Sequence, residues 1–258
     1  MNTRNPGTAA DRSPAAVVLQ QVAAGYGETP VLQDLSLSIP AGRITVILGG
    51  SGCGKSTLLK TMLRLTPALA GRIELLGHDL LGLGENSYDM LLREIGVLFQ
   101  GGALINSLSL CENVAMPLEQ HTDLPDDMIL QLVHRQLASV GLADDLWKLP
   151  GELSGGMRKR AALARAMILN PAVLFCDEPS AGLDPVTAAE LDALLLRLRQ
   201  QYSMTIVVVT HELASIHRIA DELIFLHNGG CIFQGSPACA VVEGPTPVRE
   251  FFAAGAIS

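Results

Sequence analysis

The chain is poor in aromatic residues and in positive charge. Aromatic residues make up only 4% of its 258 residues, so its core must be built from Ala, Leu, Val and Ile, which favours an α/β protein with buried parallel strands. Its 18 Lys and Arg stand against 26 Asp and Glu, which gives a net charge of -8. A nucleic-acid partner is therefore not expected, because neutralising phosphates needs clustered Lys and Arg.

The chain also lacks paired cysteines and long apolar runs. Its five cysteines are scattered without a CxxC pair, which argues against a zinc site or a redox dithiol and is typical of reduced, cytosolic thiols. No apolar run approaches the roughly 20 residues of a membrane span, and residues 1–16 lack the apolar stretch of a signal peptide. We expect neither a membrane span nor a secretory leader.

The order of strand-like and helix-like segments predicts one large domain with an insertion. Residues 1–14 are predicted to be a disordered tail, and residues 15–243 alternate apolar strands with helical segments, which predicts a largely parallel sheet. A mostly helical stretch, about residues 101–160, is interpreted as an inserted subdomain. Residues 244–258 form a C-terminal extension outside any strand pattern.

The strongest functional signal is the segment LGGSGCGKST, residues 48–57. It matches G-x-x-x-x-G-K-[ST], in which bare loop amides surround phosphates, the lysine pairs with their charge and the hydroxyl binds Mg²⁺. The apolar segment before it predicts a strand, and KSTLLKTMLRL after it predicts a helix that ends at Thr66-Pro67. The predicted phosphate-binding residues are Gly49, Gly50, Ser51, Gly52, Cys53, Gly54, Lys55, Ser56 and Thr57. The thiol of Cys53 is expected to be accessible, because side chains in this loop must point away from the phosphates.

Polar side chains follow three further apolar strands. VLFCDEP delivers Asp177, a candidate Mg²⁺ ligand, and Glu178, a candidate general base for water attacking the γ-phosphate. The alternative for this pair is a helix N-cap. His211 ends IVVVTHE and is a candidate γ-phosphate contact, with a structural role as its alternative. Gln100 follows GVLF and offers an amide oxygen to Mg²⁺ and water, or is an ordinary loop residue.

A second glycine-rich helix start lies in ELSGGMRKRAALARA. Ser154, Gly155 and Gly156 form another terminus suited to phosphate, 99 residues beyond Lys55 (154 minus 55). One nucleoside triphosphate hardly needs two such termini from one chain.

With these segments the chain resembles the ATP-binding subunits of ABC transporters. The resemblance implies a P-loop NTPase core with a mainly parallel sheet, an antiparallel β subdomain and an inserted α-helical subdomain. It implies ATP and Mg²⁺ as cofactors, ATP hydrolysis coupled to transport, and a head-to-tail homodimer in which LSGG closes over the partner's ATP. By the same resemblance Tyr26 stacks on adenine, unless it only packs. Gln100 couples to transport, Asp184 in SAGLD lines the dimer seam and His211 is the switch histidine.

One departure from the family pattern points to a branch. Met157 stands where the family usually has glutamine, and with residues 99–118 and 177–195 it resembles the ATPases of Mla- and Mce-type lipid transporters. This implies an integral membrane permease, an MCE-domain substrate-binding protein, a small STAS-domain protein and a place on the cytoplasmic face of the inner (plasma) membrane.

Three other readings stay open at this point. The first is an ABC transporter ATPase for amino acids, metals or drugs. The second is a DNA-repair or chromosome ATPase, which needs a long coiled coil between Lys55 and LSGG, where no heptads are found. The third is a ribosome-associated ABC protein, which carries two cassettes where this chain has one.

The segment GGALINSLSLCENVAMPL, residues 101–118, is predicted to contact the permease. Leu104, Ile105 and Leu108 place apolar side chains in a connection expected to be exposed. The family resemblance favours a groove for a permease helix, and the alternative is ordinary core of the helical subdomain.

Overall fold

The computed structural model describes residues 14–26 and 29–255. The tail predicted at residues 1–14 lies outside the described residues, apart from Pro14. Within the described part, no helix combines the length and the apolar character that crossing a bilayer requires.

Strands and helices alternate along the described chain much as the sequence predicts. The strands are β1 (Ala15–Tyr26), β2 (Thr29–Pro40), β3 (Ile44–Gly49), β4 (Ala68–Leu75), β5 (His78–Asp79), β6 (Ile95–Leu98), β7 (Val173–Asp177), β8 (Thr205–Val209), β9 (Glu222–His227) and β10 (Gly230–Gly235). The helices are α1 (Lys55–Met62), α2 (Glu85–Leu92), α3 (Leu110–His121), α4 (Asp126–Ser139), α5 (Gly155–Met167), α6 (Pro185–Tyr202), α7 (Leu213–Ile219), α8 (Pro237–Glu243) and α9 (Thr246–Gly255). Helix α2 had not been predicted.

Two sheets form the framework. The larger one has the strand order β10-β9-β3-β8-β7-β6, in which β9, β3, β8, β7 and β6 run parallel and β10 is an antiparallel edge. The smaller, antiparallel sheet has the order β2-β1-β4-β5. The predicted fold class, a mainly parallel sheet accompanied by an antiparallel β unit and helices, is confirmed.

Neighbouring side chains along the central strands point to opposite faces of the larger sheet, so the core forms two layers. In β3, Val46 and Leu48 pack on the side of the inserted helices, whereas Ile47 packs toward α1 and the smaller sheet. All six residues of β3 are buried, as expected of a parallel strand covered on both faces. Helix α1 contributes Leu58, Leu59 and Met62 to the layer beside the smaller sheet.

The chain between β6 and β7 is helical. Helix α3 begins with a capping box, in which Ser109 accepts from the Glu112 amide and the Glu112 carboxylate accepts from the Ser109 amide at 2.7 Å. Helices α3, α4 and α5 pack together around a shared apolar core. The subdomain boundary predicted at residue 160 falls inside α5, so it does not coincide with the end of a helix.

One prediction about local structure is wrong in detail. Helix α1 ends at Met62 instead of at Thr66-Pro67, because Arg64 adopts a left-handed backbone (φ 53°) that turns the chain toward β4. The extension predicted at residues 244–258 contains helix α9. Its Phe252 is buried against the core and Phe251 meets Phe225 edge-on, with 5.6 Å between the ring centroids.

Candidate functional site

The strand order places four polar segments side by side. Strands β3, β8, β7 and β6 are parallel neighbours, so the segments that follow them leave the same edge of the sheet. In that spatial order they carry the phosphate loop (residues 49–54), His211, the Asp177–Glu178 pair and Gln100. The structure thus brings together, at one sheet edge, residues separated by more than 150 positions in sequence.

The phosphate loop adopts a backbone that its glycines make possible. Gly49 has φ 146° and a Cβ there would lie 2.2 Å from the Leu226 carbonyl oxygen; Gly54 has φ 104° and its Cβ would lie 2.5 Å from Leu32 Cδ2. Side chains are therefore excluded at both ends of the loop by packing as well as by backbone conformation. A Cβ at Gly50 or Gly52 meets nothing, so the middle of the loop faces open space.

The start of helix α1 is suited to an anion. Its N-cap is Gly54, no side chain accepts a hydrogen bond from the first amides, and its first turn contains no acidic residue. The Lys55 ammonium lies over the loop and donates to the carbonyl oxygens of Gly49 (2.9 Å) and Gly50 (3.0 Å). The Ser56 side chain is exposed beside it, whereas the Thr57 side chain is buried.

The prediction that the Cys53 thiol is accessible is wrong. Cys53 is 8% exposed and belongs to the apolar layer between the two sheets. Its amide donates to the Gly50 carbonyl at 3.3 Å, and its sulfur packs beneath Gly49. The side chain does point away from the open face of the loop, but that direction leads into the core and not into solvent.

Asp177 ends β7 with a buried carboxylate. Burial, together with the neighbouring Glu178 carboxylate, raises the pKa of Asp177 above its ordinary value, and the charges of Lys60, Lys159 and Lys55 oppose the rise. Its Oδ1 atom has no hydrogen-bond partner among the described residues. A buried carboxylate oxygen of this kind is an ordinary ligand of a hard cation.

Glu178 is held in a strained backbone beside His211. It has φ 46°, which a non-glycine residue seldom adopts, and its amide donates to the Val209 carbonyl at 2.8 Å. Its Oε1 lies 2.8 Å from His211 Nδ1. Since an ionised carboxylate can only accept, Nδ1 must carry the proton in this contact. Its Oε2 is buried and has no partner among the described residues.

The His211 contact restricts how this residue could meet a phosphate. With Nδ1–H donating to Glu178, the other ring nitrogen of a neutral imidazole can only accept. A hydrogen bond from Nε2 to a phosphate oxygen therefore requires the doubly protonated ring or a turned one. The side chain is 65% exposed, which leaves room for either.

The oxygen atoms at this edge fit Mg²⁺. Ser56 supplies a hydroxyl, Asp177 a carboxylate oxygen without a protein partner, and Gln100 a side-chain amide. Mg²⁺ prefers oxygen ligands and keeps several waters, so it does not need a closed protein cage. Accordingly, the described residues contain no cluster of three or more His, Cys, Asp or Glu around a metal position.

The LSGG segment forms the start of helix α5. Ser154 is the N-cap, and its hydroxyl oxygen accepts from the Met157 amide at 3.2 Å. A Cβ at Gly156 would lie 2.4 Å from Thr187 Cγ2, so this glycine permits close packing on the first turn of α6. Gly155 has more room: its Cβ would lie 3.4 Å from Leu183 Cδ2.

Asp184 caps helix α6 in this structure. Its carboxylate accepts from the Val186 and Thr187 amides at 3.0 and 3.1 Å and from the Thr187 hydroxyl at 2.5 Å. The Thr187 hydrogen bonds lower the pKa of Asp184 below its ordinary value. Its predicted place in a dimer seam stays a prediction.

Tyr26 lies at the end of β1 with 60% of its surface exposed. The neighbouring strand β2 reaches the phosphate loop through Val31 and Leu32. A cleft of about 430 Å³ lies there, lined by the loop, Val31 and residues 227–229. The exposed ring is thus available for stacking, which stays a prediction.

The sequence reading missed one cation at the site. Lys159, in helix α5, is 7% exposed, and its ammonium donates to the main-chain oxygens of Gln100 and Glu178. A signal was present, because Lys159 stands three residues after Gly156 and four before Leu163, both of which are buried. A lysine on the buried stripe of a helix needs a polar partner in the interior.

Comparisons with known proteins agree with this geometry. A family model described as ABC transporter matches residues 32–181. The probable ribonucleotide transport ATP-binding protein mkl of Mycobacterium tuberculosis is 39% identical over 226 residues, which cover 88% of this chain and 63% of that protein. The chain therefore spans less than two thirds of the length of this relative.

A second relative is matched over most of its own length. The intermembrane phospholipid transport system ATP-binding protein MlaF of Haemophilus influenzae is 37% identical over 210 residues, covering 81% of this chain and 80% of that protein. Among solved structures, the dimeric post-hydrolysis state of the ATP-binding cassette MJ0796 with ADP and Pi has a TM-score of 0.78 at 28% identity. That match covers 85% of this chain and 98% of the other.

Proposed function

Because the chain belongs to the ABC transporter family, we propose that it binds ATP with Mg²⁺ at the phosphate loop and hydrolyses it to drive transport through a membrane permease. The observation that carries the proposal is the sheet edge. There the Glu178 carboxylate lies next to His211, between the phosphate loop on one side and Gln100 on the other.

The residues at this edge divide the work of hydrolysis. The amides of residues 50–54 and of the first turn of α1 bind the β- and γ-phosphates, and the Lys55 ammonium, now on loop carbonyls, moves to their oxygens. Glu178 accepts the proton of the attacking water. His211 holds Glu178 Oε1, which leaves Oε2 for the water. Mg²⁺, when bound by Ser56, Asp177 and Gln100, neutralises phosphate charge.

Replacement of the base tests this assignment. Glu178→Gln keeps the size of the side chain but removes its proton affinity, so ATP should still bind while turnover falls by about 10²- to 10⁴-fold. Binding is measured by nucleotide titration and turnover by phosphate release. Glu190→Gln, an exposed position on α6, is the matched control and should behave as wild type. Near-normal turnover by Glu178→Gln would remove Glu178 from the role of base.

The second helix start supports a dimer as the working unit. Ser154 lies at the N-terminus of α5 and is exposed, although this chain already has one complete phosphate loop. We infer that two copies associate head to tail and that Ser154, Gly155 and Gly156 of each close over the ATP of the other. Asp184, which caps the adjacent α6, lines the same seam. The dimeric state of the MJ0796 cassette supports this arrangement.

Lipid, and phospholipid in particular, is the proposed cargo. Its support is the similarity to the phospholipid transport protein MlaF, at 37% identity, together with Met157 and residues 99–118 and 177–195, which resemble the ATPases of Mla- and Mce-type lipid transporters. The proposed partners are an integral membrane permease, an MCE-domain substrate-binding protein and a small STAS-domain protein. The permease would hold the chain at the cytoplasmic face of the inner membrane.

Ribonucleotide transport is the second candidate, because identity to mkl is slightly higher, 39% against 37%. Purifying the chain with its membrane partners and identifying the bound molecule by mass spectrometry separates the two. Copurified phospholipid that raises the ATPase rate supports lipid transport. If a ribonucleotide other than ATP copurifies and lipid does not change the ATPase rate, ribonucleotide transport replaces lipid transport as the proposed function.

A DNA-repair type of ATPase is disfavoured by the helices of the insertion. Between Lys55 and Ser154 the described helices α2, α3 and α4 have 8, 12 and 14 residues. A coiled coil long enough to bridge distant DNA sites needs many heptads in succession. The helices of the insertion instead pack into the same apolar cluster as the larger sheet.

Contact with the permease is proposed for the segment after Gln100. Leu104 packs partly against the core, whereas Ile105 is exposed. The main chain of Ile105 is fixed by the Asn113 side chain, through hydrogen bonds of 2.8 and 3.0 Å. An apolar side chain displayed on a rigid segment is a suitable anchor for a helix of the permease. Leu104, by contrast, packs partly into the core, which was the alternative interpretation of this segment.

A further inference from the structure

Helix α5 contains a buried lysine that touches two parts of the nucleotide site. The Lys159 ammonium donates to the main-chain oxygen of Gln100 and, at 3.3 Å, to that of Glu178. These two residues leave neighbouring strands, β6 and β7, and no other side-chain hydrogen bond in the described structure joins both of their main chains. A single ammonium group therefore bridges the two main chains just beyond the last paired residues of β6 and β7, Leu98 and Cys176.

The buried surroundings of Lys159 disfavour a charge unless the ammonium has hydrogen-bond acceptors, which here are the main-chain oxygens of Gln100 and Glu178. Burial lowers the pKa of Lys159, and the carboxylates of Asp177, Glu178 and Glu212 oppose that fall. Hydrogen bonds from a charged donor to carbonyl oxygens are stronger than those between neutral groups. If the side chain at position 159 only covered this face of the helix, Met or Leu would do so without burying a charge.

A second cation on α5 provides a comparison. Arg165 donates to the carbonyl oxygens of Ala103 (2.8 Å) and Gly102 (3.0 Å). It thus holds the segment after Gln100 but makes no hydrogen bond to Glu178. Lys159 is the one of the two that reaches the proposed base.

Through Lys159, the start of helix α5 is linked to the main chain of Glu178. Ser154 is the N-cap of helix α5, and Lys159 follows five residues later, about 7.5 Å along the axis at about 1.5 Å per residue. Glu178 has a left-handed backbone, so the orientation of its carbonyl is set by its strained conformation. A shift of α5 would pull on that carbonyl through Lys159.

We propose that Lys159 is a positioning residue that locks the main chains of Gln100 and Glu178 to α5. The placement of the base in one site then depends on the helix whose first turn acts on the partner's ATP. This inference rests on the proposed function. It adds a link inside each chain between its own site, through Lys159, and the partner's site, through Ser154.

Three variants test the role of Lys159 in the full-length chain. Lys159→Met removes the donors and shortens the unbranched side chain by only one atom, and turnover is expected to fall by about 10²-fold, the loss typical of a catalytic group misplaced by about 1 Å. The KM for ATP should change little, because the phosphate loop is intact. Lys159→Arg, which restores donors to the same carbonyls, should recover most of the rate. Arg160→Met, the next residue on α5, is the control and should turn over as wild type.

A double variant separates positioning from general damage. If Lys159 acts through Glu178, adding Lys159→Met to Glu178→Gln should slow turnover much less than it slows the wild-type chain. Thermal unfolding of every variant is measured in parallel. Should Lys159→Met unfold at the assay temperature, Lys159→Gln takes its place, because its neutral amide NH2 group lies on a shorter side chain and lacks the charge of the ammonium.

The outcomes distinguish this inference from the function on which it rests. No hydrolysis by the wild-type chain overturns the proposed function and this inference with it. Wild-type turnover by folded Lys159→Met overturns only the role of Lys159. An equal fold loss in the wild-type and Glu178→Gln backgrounds, or no recovery in Lys159→Arg, likewise shows that Lys159 does not act by positioning Glu178.

Discussion

Helices α1 and α5 both begin at glycine-rich segments, yet their first turns are built differently. Helix α1 has Gly54 as its N-cap and no side chain on its first amides. Helix α5 has Ser154 as its N-cap, and the Ser154 hydroxyl accepts from the Met157 amide. Gly49, Gly52 and Gly54 of the first segment adopt φ values of 146°, 76° and 104°, whereas Gly155 and Gly156 lie within the regular helix.

This difference indicates what kind of ligand contact each helix start can make. The amides of α1 need an external acceptor, and the Lys55 ammonium beside them supplies charge for an anion with several oxygens. In the first turn of α5 the Met157 amide already donates to the Ser154 hydroxyl, and a hydroxyl that accepts one hydrogen bond can still donate another. Ser154 is thus suited to a single, late contact, as expected when the ATP arrives already bound to a second chain.

The largest effect is expected when the phosphate loop is inactivated in one chain and the start of α5 in another. Lys55→Ala and Ser154→Arg chains should each be nearly inactive alone. In a mixed dimer both lesions fall on one composite site and the other site is intact, so random pairing should restore about a quarter of the wild-type rate, if one site can work alone. The phosphate-release assay is run on each chain and on the mixture.

Two controls accompany the mixing experiment. Mixed dimers are verified by pulling down one tagged chain with the other. A mixture of two differently tagged Lys55→Ala chains should stay inactive. Mixed dimers that form without any recovery of activity would count against action of Ser154 on the partner's ATP.

A smaller effect is expected from adding one methyl group to each segment. Gly49→Ala places a Cβ 2.2 Å from a backbone oxygen at φ 146°, so the free energy of unfolding should fall by about 2–4 kcal/mol, from strain and overpacking. Gly155→Ala meets only Leu183 Cδ2, at 3.4 Å, and favours the helix, so stability should change by less than about 1 kcal/mol. Denaturant unfolding measures both.

The same pair of variants sharpens the functional difference. Gly155→Ala should fold normally but hydrolyse ATP slowly, because in the proposed head-to-tail dimer its methyl group would stand between Gly155 and the partner's nucleotide. Equal destabilisation by the two substitutions would mean that the two segments are not under different backbone constraints.

The smallest effect concerns the cap of α5. Ser154→Ala removes the acceptor of the Met157 amide, which typically costs about 1 kcal/mol and lowers Tm by about 2–4 °C in a chain of this size. Ser154→Asp keeps a capping acceptor but cannot donate, so it should preserve Tm and still lose turnover. An unchanged Tm in Ser154→Ala would show that the cap contributes nothing to stability.

Much of the site was predictable from local patterns. The segment from Gly49 to Ser56, the acidic pair after β7, His211 after β8 and Gln100 after β6 were all placed by an apolar strand followed by a polar residue. Parallel strands send their carboxyl ends to one edge, so these residues had to meet once the sheet formed. Their meeting did not depend on details of packing.

Other features were not predictable in the same way. The direction of the Cys53 side chain depends on what lies beneath the loop, which is the layer between the two sheets. Helix α9 has Val248, Phe251 and Phe252 at helical spacing, but Pro245 before it, Pro247 within it and its short length hid the pattern. The early end of α1 depends on a left-handed turn at Arg64, a residue type without a strong preference for it.

The sequence alone determined the family, the phosphate loop and the identity of the chemical groups, because glycine, lysine and carboxylate chemistry is a property of the residues themselves and their spacing. Only the tertiary structure decided that Glu178 contacts His211, that Cys53 is buried and that Lys159 joins Gln100 to Glu178. These contacts join segments 19 to 59 residues apart or depend on the packing of whole layers. Side-chain directions in a core follow from that packing, which no local pattern encodes.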